Sequence, residues 1–176
     1  MSSSTEPREG ASQPCGFSHC LDLLRELPIL NGVPLDVIKV LAYLSESDTF
    51  ASGETLCDQG EPLERCCIVV RGEVEVLRRC GETELVLKRC GEGFFFGGLG
   101  LLAAAKSLFT VRTLGSVQCL VLTREKFAKT VERFPEILPK ILVNVVDHVF
   151  RWEEAYLRAH VAECGERSGE MGLSLF

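Results

Sequence analysis

The chain has 176 residues, of which 46% are apolar and 25% charged, and its formal net charge is −6. This composition excludes wholesale disorder, and the apolar stretches fall short of the roughly 18 residues that a membrane span needs. The acidic balance argues against a nucleic-acid binder, whose footprint would be a basic face. We therefore expect a folded core with no direct nucleic-acid partner and no membrane span.

The two ends of the chain differ in composition from its middle. Residues 1–16 are rich in Ser, Glu, Pro and Gly, which predicts a disordered tail without a secretory signal, and residues 165–176 read as a flexible tail. Nine cysteines are an odd number, so a complete internal disulfide framework is impossible. We expect reduced thiols and a cytoplasmic location.

Short helices are predicted first. Apolar residues from Phe17 to Leu30 fall near helical spacing and are interrupted at Pro28. Pro34 then opens a second short helix, which places Ile38 and Leu41 on one face. Both precede the main body of a domain that we assign to residues 17–134.

The pattern changes at Phe50 to short β-prone runs separated by turn residues every eight to twelve positions. Val74 and Val76 alternate with charged residues, which is typical of a strand with one buried face. Strands at such regular spacing predict a barrel or sandwich rather than βαβ units. The predicted strands are Thr55–Cys57, Cys66–Val70, Glu73–Arg78, Glu84–Lys88, Thr110–Thr113 and Val117–Leu122.

Helical spacing returns after Thr123, which is placed to cap a helix running to about Phe134. A proline is tolerated only near a helix start, so a second, long helix begins between Pro135 and Pro139 and runs to about Cys164. We treat residues 135–164 as a separate C-terminal helix.

The long helix carries a heptad-like apolar seam in addition to other apolar positions. The simplest arrangement places one face on the barrel and the seam on the same helix of a second chain, giving a homodimer. The alternative is that both faces are buried within one chain. The predicted dimer interface consists of Leu142, Val145, Val149, Trp152 and Tyr156.

At this point the glycine positions become informative. The informative segments are Gly53–Leu56, Gly60-Glu61, Ile68–Val76, Gly91–Gly97, Thr110–Thr113 and Val117–Phe127. Through them the chain resembles the cyclic-nucleotide-binding domain family, which includes catabolite-activator and fumarate-nitrate-regulator sensor domains. The resemblance implies an α+β fold. It is a jelly-roll-like antiparallel β-barrel flanked by N-terminal short helices and a long C-terminal helix.

The resemblance also implies a cassette that cradles a cyclic phosphate. In nucleotide-binding members the cassette has a sequence similar to Phe-Gly-Glu-Leu-Ala-Leu, followed after a few residues by Arg-Ala-Ala-Thr-Val. The Glu accepts a hydrogen bond from the ribose hydroxyl, and the Arg binds the phosphate oxygens. Here Gly98 stands in place of the Glu and Ser107 in place of the Arg. The candidate ligand-binding residues are Phe96, Gly97, Gly98, Leu99, Lys106, Ser107, Leu108 and Thr110.

Partial substitutes for the missing groups are present. Lys106 is one residue early and could reach an anion from a bulged loop, although we favour its interpretation as a solvated loop charge. Backbone N–H groups at residues 97–99 would attract an anion if they open a short helix. We predict no obligatory cofactor, and a cyclic nucleotide or another small molecule as the ligand.

Other chemistry is weakly represented. The chain has no paired carboxylate motif, nucleophile elbow, Walker loop or His-Glu-x-x-His, so we predict that it is not an enzyme. Family relatives with haem or an iron–sulfur cluster make a redox sensor an alternative, but Cys15-Gly-Phe-Ser-His19-Cys20 offers only two thiols and a histidine. Cys66 and Cys67 are adjacent in a strand and should point to opposite faces.

The residues and the resemblance together predict a regulatory ligand-sensing or interaction module with a non-standard ligand, which signals through the C-terminal helix and can also engage a protein partner. The alternatives are a true cAMP or cGMP-binding domain with a variant cassette, or the redox sensor.

Overall fold

The computed structural model describes residues 16–160, so the predicted tails, apart from Gly16, and the predicted helix end beyond residue 160 lie outside the described residues. The helices are α1 (Phe17–Glu26), α2 (Leu35–Leu44), α3 (Leu99–Leu102), α4 (Arg124–Arg133) and α5 (Ile137–His160), with a 3₁₀ turn at Pro28–Leu30. The strands are β1 (Glu46–Phe50), β2 (Thr55–Cys57), β3 (Arg65–Arg71), β4 (Val74–Cys80), β5 (Thr83–Cys90), β6 (Phe95–Phe96), β7 (Thr110–Thr113) and β8 (Val117–Thr123).

The strands form two antiparallel sheets of four strands each, in the orders β1-β8-β3-β6 and β2-β7-β4-β5. This arrangement, with helices before and after it, confirms the predicted α+β jelly-roll-like fold. Two strands were missing from the prediction. The segment Glu46–Phe50 is polar and pairs along its whole length with β8, and Phe95–Phe96 is only two residues long.

The sheet containing β3 separates two cores. One face carries Cys66 and Ile68 and packs against the helical layer, where Leu41 and Ile141 are fully buried. The opposite face carries Cys67 and points into the roll, so the prediction that the adjacent cysteines face opposite ways is confirmed. We call these the helical-layer core and the roll interior.

Glycine is required at several barrel corners. Gly53, Gly60 and Gly72 have φ of 80°, 88° and 94°. At Gly72 a Cβ would also lie 2.5 Å from the backbone oxygen of Ser116, so the close approach of the β3–β4 turn to the β7–β8 turn excludes any side chain there.

The C-terminal helices begin where the sequence predicts. The Thr123 hydroxyl accepts from the backbone N–H of Lys126 at 3.4 Å and caps α4. The helix α5 begins at Ile137, between the two prolines, and its first turns are anchored in the helical-layer core. The Asn144 side-chain amide donates to the carbonyls of Ile29 and Asn31 at 3.0 and 2.8 Å, which fixes this part of α5 to the 3₁₀ turn.

Candidate functional site

The predicted cassette lies between β6 and β7 and contains α3. Phe96 is buried in the roll interior, where its ring stacks on Phe94 with centroids 5.8 Å apart. Gly97 has φ of 81°, and a side chain there would collide with the backbone oxygen of Arg65. The start of the cassette is therefore held by close packing against β3.

Gly98 is buried and has ordinary helical backbone angles, φ −57° and ψ −38°. Its backbone would accept any residue, so the restriction comes from its surroundings. A Cβ built on Gly98 would lie 2.6 Å from Cε1 of Phe95, whose ring packs against the helical-layer core. The ring occupies the first step of the path that a glutamate side chain would take.

Ser107 is 3% exposed and is bound on every side. Its hydroxyl donates to the carbonyl of Phe109 at 2.6 Å. Its backbone N–H donates to the carbonyl of Glu61 and its carbonyl accepts from the N–H of Gly60, both at 2.8 Å. The position of the family arginine is thus occupied by a short side chain that is directed at its own loop.

The remaining cassette residues separate into two groups. Leu99, Lys106 and Leu108 are exposed, and Lys106 takes part in an isolated backbone bridge with Pro62. Thr110 is buried and donates from its hydroxyl to Asp58 at 2.6 Å. The structure does not bring the side chains of the eight candidates together around one point, and their role in binding stays a prediction.

Asp58 organises the loop that supports the cassette. Besides Thr110, its carboxylate accepts from the Arg79 guanidinium at 2.9 Å and from the backbone N–H of Gln59 at 2.9 Å. The hydroxyl of Thr110, aided by the charge of Arg79, lowers the pKa of this carboxyl below its ordinary value. Nothing in the sequence marks Asp58, because the side chains that it binds, those of Arg79 and Thr110, lie 21 and 52 residues away.

Arg124 connects the cassette to α4. Its Nη2 atom donates to the carbonyl of Ala103 at 3.2 Å, and its guanidinium also binds the carbonyls of Gly100 and Leu63. Gly100 is needed because a Cβ there would lie 2.5 Å from the backbone oxygen of Leu63. No local pattern in the sequence marks Arg124, because the carbonyls that it binds lie 21, 24 and 61 residues away.

A cleft of about 710 Å³ lies between the β2–β3 loop and the start of α4. It is lined by Asp58, Glu61, Arg65, Arg124 and Glu125, among others, and by none of the predicted cassette residues. Over residues 16–160, no group of three or more His, Cys, Asp or Glu side chains is arranged to hold a metal ion. No helix in that same span is long and apolar enough to cross a bilayer.

Comparison with known proteins decides the family. The family model "Cyclic nucleotide-binding domain" matches residues 47–134, which is half of the chain. The chain belongs to the cyclic nucleotide-binding domain family. The prediction of a regulatory, ligand-sensing module of this family is thereby confirmed, while its ligand is not identified by the match.

Two curated relatives of this family are similar over much of the chain. The potassium channel AKT6 of Arabidopsis thaliana is 26% identical over 163 residues, which are 90% of this chain and 18% of the channel. The cAMP-dependent protein kinase regulatory subunit of Blastocladiella emersonii is 28% identical over 120 residues, 66% of this chain and 29% of the subunit. The chain therefore spans less than a third of either relative.

Solved structures agree with the fold of a cyclic nucleotide-binding domain. The N-terminal domain of a transcriptional regulator from Streptomyces coelicolor aligns with a TM-score of 0.68 at 24% identity, covering 76% of this chain and 96% of that one. The Thermus thermophilus catabolite activator protein aligns with a TM-score of 0.62 at 21% identity, covering 78% of this chain and 63% of that one.

The long helix of this cyclic nucleotide-binding domain presents most of the predicted seam to solvent. Leu142, Val149, Trp152 and Tyr156 are 60%, 44%, 62% and 40% exposed, and the rings of Trp152 and Tyr156 stack. Val145 differs, because it packs against the helical-layer core of its own chain. The predicted dimer interface is therefore open along four of its five residues.

Proposed function

We propose that this chain is a regulatory module that senses a small ligand other than a conventionally held cyclic nucleotide and signals through α5. The proposal is carried by one observation, the ring of Phe95 against Gly98. A cassette that had merely lost its glutamate would leave space at that position. Here the ring of Phe95, which packs against the helical-layer core, fills that space, so an apolar contact takes the place of the ribose-binding carboxylate.

The energetic consequence is large on the scale of nucleotide affinity. Leaving a buried phosphate without a cation costs several kcal/mol. Losing a charge-assisted hydrogen bond to the ribose costs roughly 1.5–3 kcal/mol. Micromolar affinity corresponds to only about −8 kcal/mol. With Gly98 and Ser107 at the two positions, weak or absent binding of cAMP and cGMP is the expected behaviour.

Signalling through α5 has a physical route in this chain. Arg124 joins the end of α3 to the first residue of α4, and the buried Phe127 of α4 packs in the same core as Ile137 and Ile141 of α5. A shift of the cassette would therefore be felt at the start of the long helix. Asn144 fixes this part of α5 to the 3₁₀ turn, and Val145 packs against the same core.

We further propose that α5 forms a homodimer through the exposed seam. We also propose that the chain is located in the cytoplasm and that its role is regulatory, not catalytic. The exposure of Leu142 and Trp152 supports the dimer, because such large apolar surfaces on a helix ordinarily have a partner. All seven cysteines of the described part of the chain are free thiols, which supports a reducing compartment.

Titration calorimetry of the full 176-residue chain with cAMP and cGMP tests the ligand. We expect no saturable heat with either nucleotide. A triple variant, Phe95→Ala with Gly98→Glu and Ser107→Arg, restores the space and both charged groups and should gain measurable binding. The Gly98→Glu and Ser107→Arg double variant is the matched control and should bind more weakly. A saturable isotherm for the unmodified chain would refute the proposal.

Light scattering tests the dimer. Trp152→Glu places a charge in the seam and should convert a dimer into a monomer. Arg151→Glu adds negative charge one residue earlier, about 100° round the helix, and should leave the dimer intact. A monomeric unmodified chain, or equal loss in both variants, would contradict this part of the proposal.

A further inference from the structure

The β4–β5 hairpin carries basic side chains on both of its faces. Val74 is buried in the roll interior, and Val76 is opposite Val111 of β7, which belongs to the same core. The pairing of β4 with β5 shifts register between Val76 and Leu77, but the pairing with β7 is regular from Val74 to Leu77, so alternation along β4 places Arg78 on the face of Val74 and Val76. Arg79 lies on the other face, where it binds Asp58. The two adjacent arginines therefore belong to different surfaces.

Arg78 reaches the cassette from the strand. Its Nη1 atom donates to the backbone carbonyl of Leu108 at 2.8 Å. Leu108 directly follows Ser107, where the family places its phosphate-binding arginine. A guanidinium is thus present beside the cassette, although the loop itself does not supply it.

A second cation accompanies Arg78 on the inner face. Lys88 is directly opposite Val76 in the strand register, and directly opposite residues point to the same side of a sheet. Its Nζ atom lies 5.0 Å from the centroid of the Phe94 ring. The inner face of the hairpin therefore carries two positively charged side chains, Arg78 beside Leu108 and Lys88 beside Phe94.

Two basic residues of the outer face are ion-paired, because Arg79 binds Asp58 at 2.9 Å and Arg112 of neighbouring β7 binds Glu84 at 3.1 Å. Arg89, also on the outer face, is opposite Glu75 in the register but has no carboxylate within 4.0 Å among the residues that the structure describes. On the inner face, neither Arg78 nor Lys88 has a carboxylate within 4.0 Å among the residues that the structure describes. In a chain with a net charge of −6, two cations on one face without acidic partners favour the binding of an anion there.

Exposed apolar side chains border these cations. Leu85, which is opposite Arg78 in the register, is 48% exposed, and Leu108 is 69% exposed. We propose that the inner face of the β4–β5 hairpin binds a small amphipathic oxyanion. Arg78 and Lys88 bind its phosphate or carboxylate group, and Leu85 and Leu108 contact its apolar part. This deepens the proposed function by naming the ligand class, and it rests on that proposal for the sensing role.

Calorimetric titration of the full chain with octyl phosphate, octanoate and 1-octanol, each below its aggregation limit, tests the site. The three probes share one apolar tail, so the two anions distinguish a phosphate ligand from a carboxylate and the alcohol reports apolar contact alone. We expect saturable binding of at least one anion and none of 1-octanol. The tighter anion identifies the preferred head group.

Matched variants locate the binding. Arg78→Gln should lower the affinity for the anion at least about tenfold, as expected for the loss of a charge-assisted hydrogen bond. Lys88→Gln should lower this affinity by a smaller factor. Arg89→Gln removes the same charge from the outer face of the same hairpin, opposite Glu75, and should change nothing. Far-ultraviolet circular dichroism confirms that each variant is folded.

Three results would overturn the inference: no saturable heat with either anion, equal binding of 1-octanol, or equal losses in Arg78→Gln and Arg89→Gln. These failures are separable from that of the proposed function. If the anions do not bind while cAMP and cGMP are also silent and α5 dimerises, only the hairpin site falls. If the anions bind through Arg78 while the unmodified chain also binds cAMP in a manner insensitive to Arg78→Gln, only the proposed function falls.

Discussion

Arg124, the first residue of α4, donates from Nη2 to the carbonyl of Ala103, the residue that follows α3, at 3.2 Å. The same guanidinium binds the carbonyls of Gly100 and Leu63. One side chain therefore joins the start of α4 to α3 and to the β2–β3 loop, beside the backbone hydrogen bond from the Arg124 N–H to the Glu64 carbonyl at 2.8 Å.

Removing this guanidinium should destabilise the domain. We expect Arg124→Ala to lower the free energy of unfolding by about 2–3 kcal/mol, because the part-buried carbonyls of Gly100 and Leu63 lose a charged donor. Arg124→Lys should recover only part of the loss, since one ammonium cannot replace the fork. Urea denaturation measures both. Arg133→Ala, in the last turn of the same helix, is the control and should cost less; equal losses would contradict the argument.

The packing of Phe95 against Gly98 predicts a reversal of sign. Gly98 has helical backbone angles, so Gly98→Ala would ordinarily stabilise by about 0.4–1 kcal/mol. Against the Phe95 ring it should instead destabilise by about 1–3 kcal/mol through overpacking. In a Phe95→Ala background the same change should become neutral or stabilising. A double-mutant cycle by denaturant unfolding measures the coupling, and additive effects would show that the ring does not occupy this space.

Asp58 should make the domain sensitive to acid. Its pKa is lowered in the folded chain by the Thr110 hydroxyl and by Arg79, so the stability it contributes is present above its unfolded pKa of about 4. That contribution is lost as the pH falls through the lower folded value. Asp58→Asn should therefore melt below the unmodified chain at pH 7, and the gap between their melting temperatures should narrow as the pH falls below about 4. A gap that stays constant as the solution is acidified would contradict this linkage.

The buried thiols should make the stability of the domain depend on pH in alkaline solution. Burial raises the pKa of Cys66 and of Cys119, each to about 12, from an ordinary value of 9.0. Their contribution is complete below pH 9 and is lost as the pH rises toward the folded value. Each thiol should add about 1.4 kcal/mol per pH unit to the decline in stability over this window.

Denaturant unfolding in a reductant between pH 8 and 10.5 measures that slope. Cys66→Ala should make the decline shallower by the share of one thiol. Cys80→Ala removes an exposed thiol at the end of β4 and should leave the slope unchanged. If Cys66→Ala and Cys80→Ala gave the same slope, burial of Cys66 would not be the cause.

The sequence was most informative where burial on one face dominates. Val74 and Val76 alternate with charged residues and predicted β4, and Thr123 predicted the start of α4. The polar strand Glu46–Phe50 was missed because it gains its structure from pairing with β8, which no local pattern signals.

The sequence predicted which charged residues of the family pattern are missing from the candidate site, but not which side chains lie there instead. Gly98 and Ser107 are visible as missing charged groups when the sequence is compared with the family pattern. The neighbour that fills the space at Gly98 is visible only in three dimensions, because the direction of the Phe95 ring is set by the helical-layer core. Arg78 and Arg79 are likewise adjacent and identical in the sequence, and only their partners across the sheet distinguish them.

The two hydrogen bonds of Asn144 give the long helix a fixed point of support. From there to His160 the helix extends about 24 Å at 1.5 Å per residue. A tilt of about 10° at Asn144 would carry the far end through about 4 Å, close to one helical pitch of 5.4 Å. A small tilt of α5 at the 3₁₀ turn therefore becomes a displacement at the far end that is large enough to change which residues two such helices present to each other.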